Sequence, residues 1–243
     1  MARPVLEIRE LWVRRQERAV CRGVDLRVSA GEVVGLVGGP GAGKSSLLAC
    51  AGLELAASSG SVLLHGVDIA GATCERRRAL RSSAIDLVRL SAATAPDRGP
   101  AGTALTGRLR APAHVVLAGA LAGPFDVVLA DGVFDADADA DGDAEADGGA
   151  MTGVDAGADR GPLAVPRDPG ESVARQVELV DALLRRRPSR PPAVVLASRS
   201  LEAVAAVADT VVVLVDGQVG DAGPVPQVVA GQRCLGAPGL RSA

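Results

Sequence analysis

The only lysine among 243 residues is Lys44. It sits in Gly38-Gly39-Pro40-Gly41-Ala42-Gly43-Lys44-Ser45, which fits the phosphate-binding pattern GxxxxGK(S/T). Every other Lys/Arg position is arginine, so an accidental match is rare in a chain of this make-up. Glycines let the backbone wrap a phosphate chain with successive N–H groups pointing inward, and a helix starting near Gly43 adds the positive end of its dipole. In this reading Lys44 reaches the β- and γ-phosphates and Ser45 offers its hydroxyl to Mg2+. Context supports it, since Glu32–Val37 reads as a buried strand feeding the loop and Ser46–Ala51 as the helix leaving it. The candidate nucleotide contacts are Gly38, Gly39, Pro40, Gly41, Ala42, Gly43, Lys44, Ser45 and Ser46.

Size and composition suit one domain with an aliphatic core. Phe125, Phe134 and Trp12 are the only Phe, Tyr or Trp residues, so base stacking has little to work with and nucleic acid is not an expected partner. Cys21, Cys50, Cys74 and Cys234 show no CxxC spacing, and His65 and His114 do not complete a zinc set. The cysteines read as reduced, buried small residues. His65 reads as a strand residue in a hairpin. Charges interrupt Met1–Arg18, and no apolar run approaches the ~20 residues of a membrane span, so the expected location is cytosolic or membrane-bound through a partner.

The net charge of −3 hides two regions: Asp135–Arg160 holds nine acidic residues against one arginine, which leaves the rest of the chain mildly basic. This segment alternates Asp with Ala and Gly and has too little apolar bulk to offset the entropy of ordering it. It reads as an acidic disordered insertion at 135–165. Asp137, Asp139, Asp141 and Gly142 imitate the start of a calcium loop, but Gly148 stands where a bidentate Glu should close it, and a solvated tract is the favoured reading.

Along the chain, Val5–Ile8 and Val24–Val28 read as strands, and Val62–Ile69 as a hairpin. A charged helix at Cys74–Arg81 leads to strand Ala84–Val88. Helix Ala113–Ala122 leads to strand Asp126–Ala130. Glu171–Arg187 is an amphipathic helix, Ala193–Ala197 a strand, Ser200–Ala208 a helix and Thr210–Val215 a strand ending at the turn Asp216-Gly217. Strands alternating with helices mean an α/β domain on a largely parallel sheet.

Gly23–Val37, the phosphate loop, Gly60–Asp68, Ala118–Asp131 and Val194–Gly217 together resemble the ATP-binding domain of ABC transporters. Glu75–Leu87 resembles lipoprotein-release and macrolide-export members. The resemblance implies a P-loop NTPase core with a mostly parallel sheet flanked by helices, a small antiparallel β subdomain at the N-terminus and a reduced helical subdomain, over residues 1–243. Asp131 stands where the family places the aspartate that holds Mg2+, so Ser45 and Asp131 are the implied metal ligands and Mg-ATP the implied ligand.

Five positions depart from the family pattern. Arg15 stands in place of the adenine-stacking aromatic, and Leu90 in place of the glutamine that senses Mg2+ and couples to the membrane subunit. Gly107-Arg108-Leu109-Arg110 occupies the place of the signature segment, Gly132 that of the glutamate that polarises water, and Arg199 that of the γ-phosphate histidine. Losing a general base costs ~10²–10⁴ in rate, so binding with weak or absent hydrolysis is expected. Asp135 or Asp137 is a candidate replacement for the glutamate, and Arg199 a cationic partner for the γ-phosphate.

The resemblance implies an ATP-binding subunit at the inner face of the plasma membrane. It would work with a transmembrane permease subunit and form a heterodimer with an intact ATP-binding subunit that supplies the missing signature. A non-hydrolysing regulatory or scaffold protein is the second reading. A GTPase is disfavoured because an NKxD motif needs a second lysine, and a small-molecule kinase because the arginines of 76–81 read as a solvated helix face.

Overall fold

The computed structural model describes residues 3–15, 18–89, 113–135, 169–185 and 190–235, with positions 113, 114, 169–173 and 232–235 described by backbone alone. Two sheets organise it. The first is antiparallel, in the order β2-β1-β4-β5, built from β1 (Pro4–Arg15), β2 (Arg18–Ser29), β4 (Ser59–Leu64) and β5 (Val67–Asp68). The second runs β10-β9-β3-β8-β7-β6, from β3 (Val33–Val37), β6 (Ile85–Arg89), β7 (Val127–Asp131), β8 (Ala193–Ser198), β9 (Thr210–Val215) and β10 (Gln218–Pro224). Its neighbours are parallel except β10, which pairs antiparallel with β9.

The central strands read as continuous apolar runs because both of their faces are buried. On β7, Val127 and Leu129 join the core beneath the antiparallel sheet, while Val128 and Ala130 join the core on the opposite face. On β8, Val195 and Ala197 face the first core, Val194 and Leu196 the second. This is the two-residue period of a strand, used twice. The helix after the phosphate loop, α1 (Lys44–Ala51), lies between the two sheets, and Leu47, Leu48, Ala49, Cys50 and Ala51 are all buried. Burial all round explains why its sequence is apolar without an amphipathic stripe. The second core is roofed by α3 (Ala113–Ala122), α4 (Pro169–Arg185) and α5 (Leu201–Ala205), through Leu117, Ala120, Val180, Ala203 and Val204.

The expected α/β class, the parallel sheet and the N-terminal antiparallel sheet are all present. Several details differ. β1 and β2 are each 12 residues long, because Leu11, Val13 and Cys21 continue the buried face beyond the expected strands. β10 and α6 (Val225–Leu235) were not expected, and α5 ends at Ala205 rather than Ala208. Cys74 is exposed at the start of α2 (Cys74–Ser83), whereas Cys21 and Cys50 are buried as expected. His65 is not a strand residue. It occupies the two-residue turn between β4 and β5 at φ 50, and its Nε2 lies 3.0 Å from Asp126 Oδ2. The acidic insertion beyond Asp135, the calcium-loop positions and Cys234's side chain lie outside the described residues, as do Leu90 and Gly107–Arg110.

Candidate functional site

The loop from Gly38 to Gly43 joins the end of β3 to α1. Gly43 caps the helix at φ 102, and a Cβ there would lie 2.4 Å from the Val20 carbonyl oxygen, so only glycine fits. A Cβ on Gly39 or Gly41 would meet no neighbour within 4 Å. The Lys44 ammonium folds back to donate to the carbonyls of Gly38 and Gly39, the latter at 3.1 Å. Burial pulls Lys44 below the usual lysine range, while the carboxylates of Asp135 and Asp131 oppose that shift and Arg199 reinforces it. Four charged groups therefore act on one another across one site.

A pocket of about 200 Å³ collects them, lined by Pro40, Gly41, Lys44, Ser45, Asp131, Gly132, Asp135 and Arg199. Ser45 from α1 and Asp131 from the end of β7 share this lining, which supplies the hard oxygen donors that magnesium requires. Of the remaining sequence-predicted contacts, Gly38 and Gly39 act through the carbonyls that hold Lys44, and Ala42 is buried behind the loop. Gly43 caps the helix, and Ser46 is the third residue of α1, outside the lining.

The departures can now be placed. Gly132, with no side chain to offer, donates its N–H to the Ala197 carbonyl at 3.0 Å. Asp135 does line the pocket, but as part of a network. Its Oδ1 accepts from the Ser198 hydroxyl at 2.8 Å and from the Arg199 N–H at 2.9 Å, and its Oδ2 lies 3.5 Å from Arg199 Nε. This pairing was not foreseen, because its partners are 64 positions apart and neither belongs to a recognisable spacing. Arg15 is exposed at the end of β1, across from Arg18 and outside the pocket lining. Asp137 lies outside the described residues.

Residues 21–96 match the family model described as ABC transporter. A 93-residue stretch is 44% identical to the lipoprotein-releasing system ATP-binding protein LolD of Roseobacter denitrificans, covering 36% of this chain and 41% of that protein. By this stretch the chain is similar to ABC transporter ATP-binding proteins. It matches about two fifths of the length of that LolD relative. The same fold is seen in a dimeric ABC cassette, MJ0796, bound to ADP and Pi, with a TM-score of 0.57 at 15% identity over 90% of this chain and 98% of that one. It is seen again in a bacterial Atm1-family ABC exporter with ATP bound, with a TM-score of 0.60 at 17% identity over 98% of this chain and 43% of that one. The ABC family match spans β2 to β6, so it contains the phosphate loop and α1 but neither Asp131 nor Arg199. Among the described residues no helix is long and apolar enough to cross a membrane.

Proposed function

We propose that this chain is an ATP-binding subunit of an ABC transporter that binds Mg-ATP through Gly38–Ser46 and hydrolyses it weakly or not at all. The observation that carries this reading is that Lys44, Ser45 and Asp131 line one pocket together with Pro40 and Gly41 of the glycine loop. Lys44 is held by two loop carbonyls, weak partners that a phosphate chain would replace with charge-assisted bonds. Ser45 and Asp131 would hold magnesium, whose charge offsets that of the phosphate oxygens when bound. Weak turnover follows from Gly132, which presents no carboxylate where the family positions a base, and from Arg199 in place of the histidine.

The LolD relative is, by its name, the ATP-binding protein of a lipoprotein-releasing system. By that likeness this chain would sit at the cytoplasmic face of the plasma membrane against a transmembrane permease subunit. An intact ATP-binding subunit would complete a heterodimer. Thermal unfolding in the presence of Mg-ATP, run beside a phosphate-release assay, tests the reading. A stability gain approaching ~2.7 kcal/mol at 100 times the dissociation constant, with phosphate release at least a hundredfold below that of an intact cassette, is expected. Brisk release by the isolated chain contradicts the hydrolysis part, and no stabilisation contradicts the whole.

A further inference from the structure

The charged groups around the pocket are not equivalent. Lys44 and Asp131 belong to the loop and the strand end of the nucleotide site, but Asp135 and Arg199 pair with each other across it. Asp135 is anchored. Its Oδ1 accepts the Ser198 hydroxyl at 2.8 Å and the Arg199 N–H at 2.9 Å, and Ser198 is fully buried at the end of β8. The Arg199 side chain is the looser partner, 29% exposed against 14% for Asp135, with its Nε 3.5 Å from Oδ2. The guanidinium also donates from Nη2 to the Asp135 backbone carbonyl at 3.5 Å, so both of these contacts to Asp135 are long, and a guanidinium fork can trade such a carboxylate contact for a phosphate oxygen, which suits it equally well.

We propose that Asp135 is a resident competitor for Arg199, a carboxylate that engages the guanidinium until the terminal phosphate of a nucleoside triphosphate takes its place, so that this pair sets how strongly the pocket prefers triphosphate over diphosphate. The proposal rests on the reading of the pocket as a nucleotide site. A diphosphate, held by the loop and Lys44, does not reach for Arg199 and leaves the pair intact. A triphosphate gains the arginine but must displace the carboxylate and lie beside its negative charge. Asp135 thus holds the preference for ATP below what the remaining residues would give.

Asp135→Asn tests this, because the amide oxygen can still accept from Ser198 and from the Arg199 N–H while the charge is gone. Titration of wild type and variants with Mg-ATP and Mg-ADP should show the ATP-to-ADP affinity ratio rising about tenfold in Asp135→Asn, the scale of one unit charge at contact distance in a half-exposed site, almost wholly through ATP. Arg199→Gln should bring the ratio near one, and adding Asp135→Asn to it should restore less than about twofold, because the carboxylate then has no arginine to withhold. An unchanged ratio in Asp135→Asn, or its full effect persisting in the Arg199→Gln background, overturns the proposal. If Asp135→Asn does not fold, Arg199→Gln decides alone, an unchanged ratio being fatal. Wild type that binds neither nucleotide better than Lys44→Ala removes the nucleotide reading itself, a different failure from binding with an unaltered ratio.

Discussion

The Gly217 N–H donates to the Ala42 carbonyl at 3.1 Å, so the turn after β9 holds the phosphate loop from behind. The same glycine accepts from the Arg22 N–H at 2.7 Å, which ties both sheets to the loop at one point. Gly217 has φ +80, and a Cβ there would lie 2.5 Å from the Val20 carbonyl oxygen, the atom that also leaves no room for a Cβ on Gly43.

Gly217→Ala should therefore cost about 2–4 kcal/mol of stability, the sum of left-handed strain and a backbone clash. It should weaken ATP binding as well, because the loop loses its rear support. Chemical denaturation measures the first effect and titration the second. A variant as stable as wild type would show that this turn does not brace the loop.

Lys44 gives a paired expectation. Burial lowers its proton affinity in the folded state, so the unfolded chain binds the proton more tightly, and between the folded value and the ordinary lysine value stability rises with pH. Lys44→Met removes that alkaline rise and the cost of burying the charge, at the expense of two hydrogen bonds to Gly38 and Gly39. The ligand-free variant should unfold within about 1 kcal/mol of wild type at neutral pH, while stabilisation by Mg-ATP disappears. Unfolding of the ligand-free variant would show the lysine to be structural.

The cysteines separate by environment. Burial pushes the Cys21 thiol up to about 11 and the Cys50 thiol up to about 12, while Cys74 is exposed at the first turn of α2. Alkylation of native protein near pH 8, mapped by mass spectrometry, should mark Cys74 and spare Cys21 and Cys50 until the chain is unfolded. Labelling of Cys21 in the native state would mean that β2 opens beside the phosphate loop, since its Sγ lies 3.7 Å from the Gly43 carbonyl oxygen.

The glycine loop and α1 were legible because a phosphate cradle demands particular residues at fixed spacing. The parallel strands were legible because burial on both faces demands unbroken apolar runs. β10 was not. Gln218-Val219-Gly220-Asp221-Ala222-Gly223-Pro224 reads as a loop in isolation and is a strand because β9 offers a free edge. The full lengths of β1 and β2 were hidden by register shifts near Ile8, Leu11 and Val13 and by Glu10 at φ 44, which break the alternation that marks a strand. Asp131 stood out only through the family resemblance, at the strand end where that family places an aspartate, whereas the bond from Asp135 to Ser198 and Arg199 exists only once β7 and β8 lie side by side.

Equilibrium titration of the purified chain with ATP and magnesium, set against Lys44→Ala, tests the central claim most directly. The account predicts saturable binding that weakens at least a hundredfold in the variant, the loss expected when a charge-assisted contact to phosphate is removed from a partly buried site. Equal affinity in the two proteins, or none in either, would contradict it.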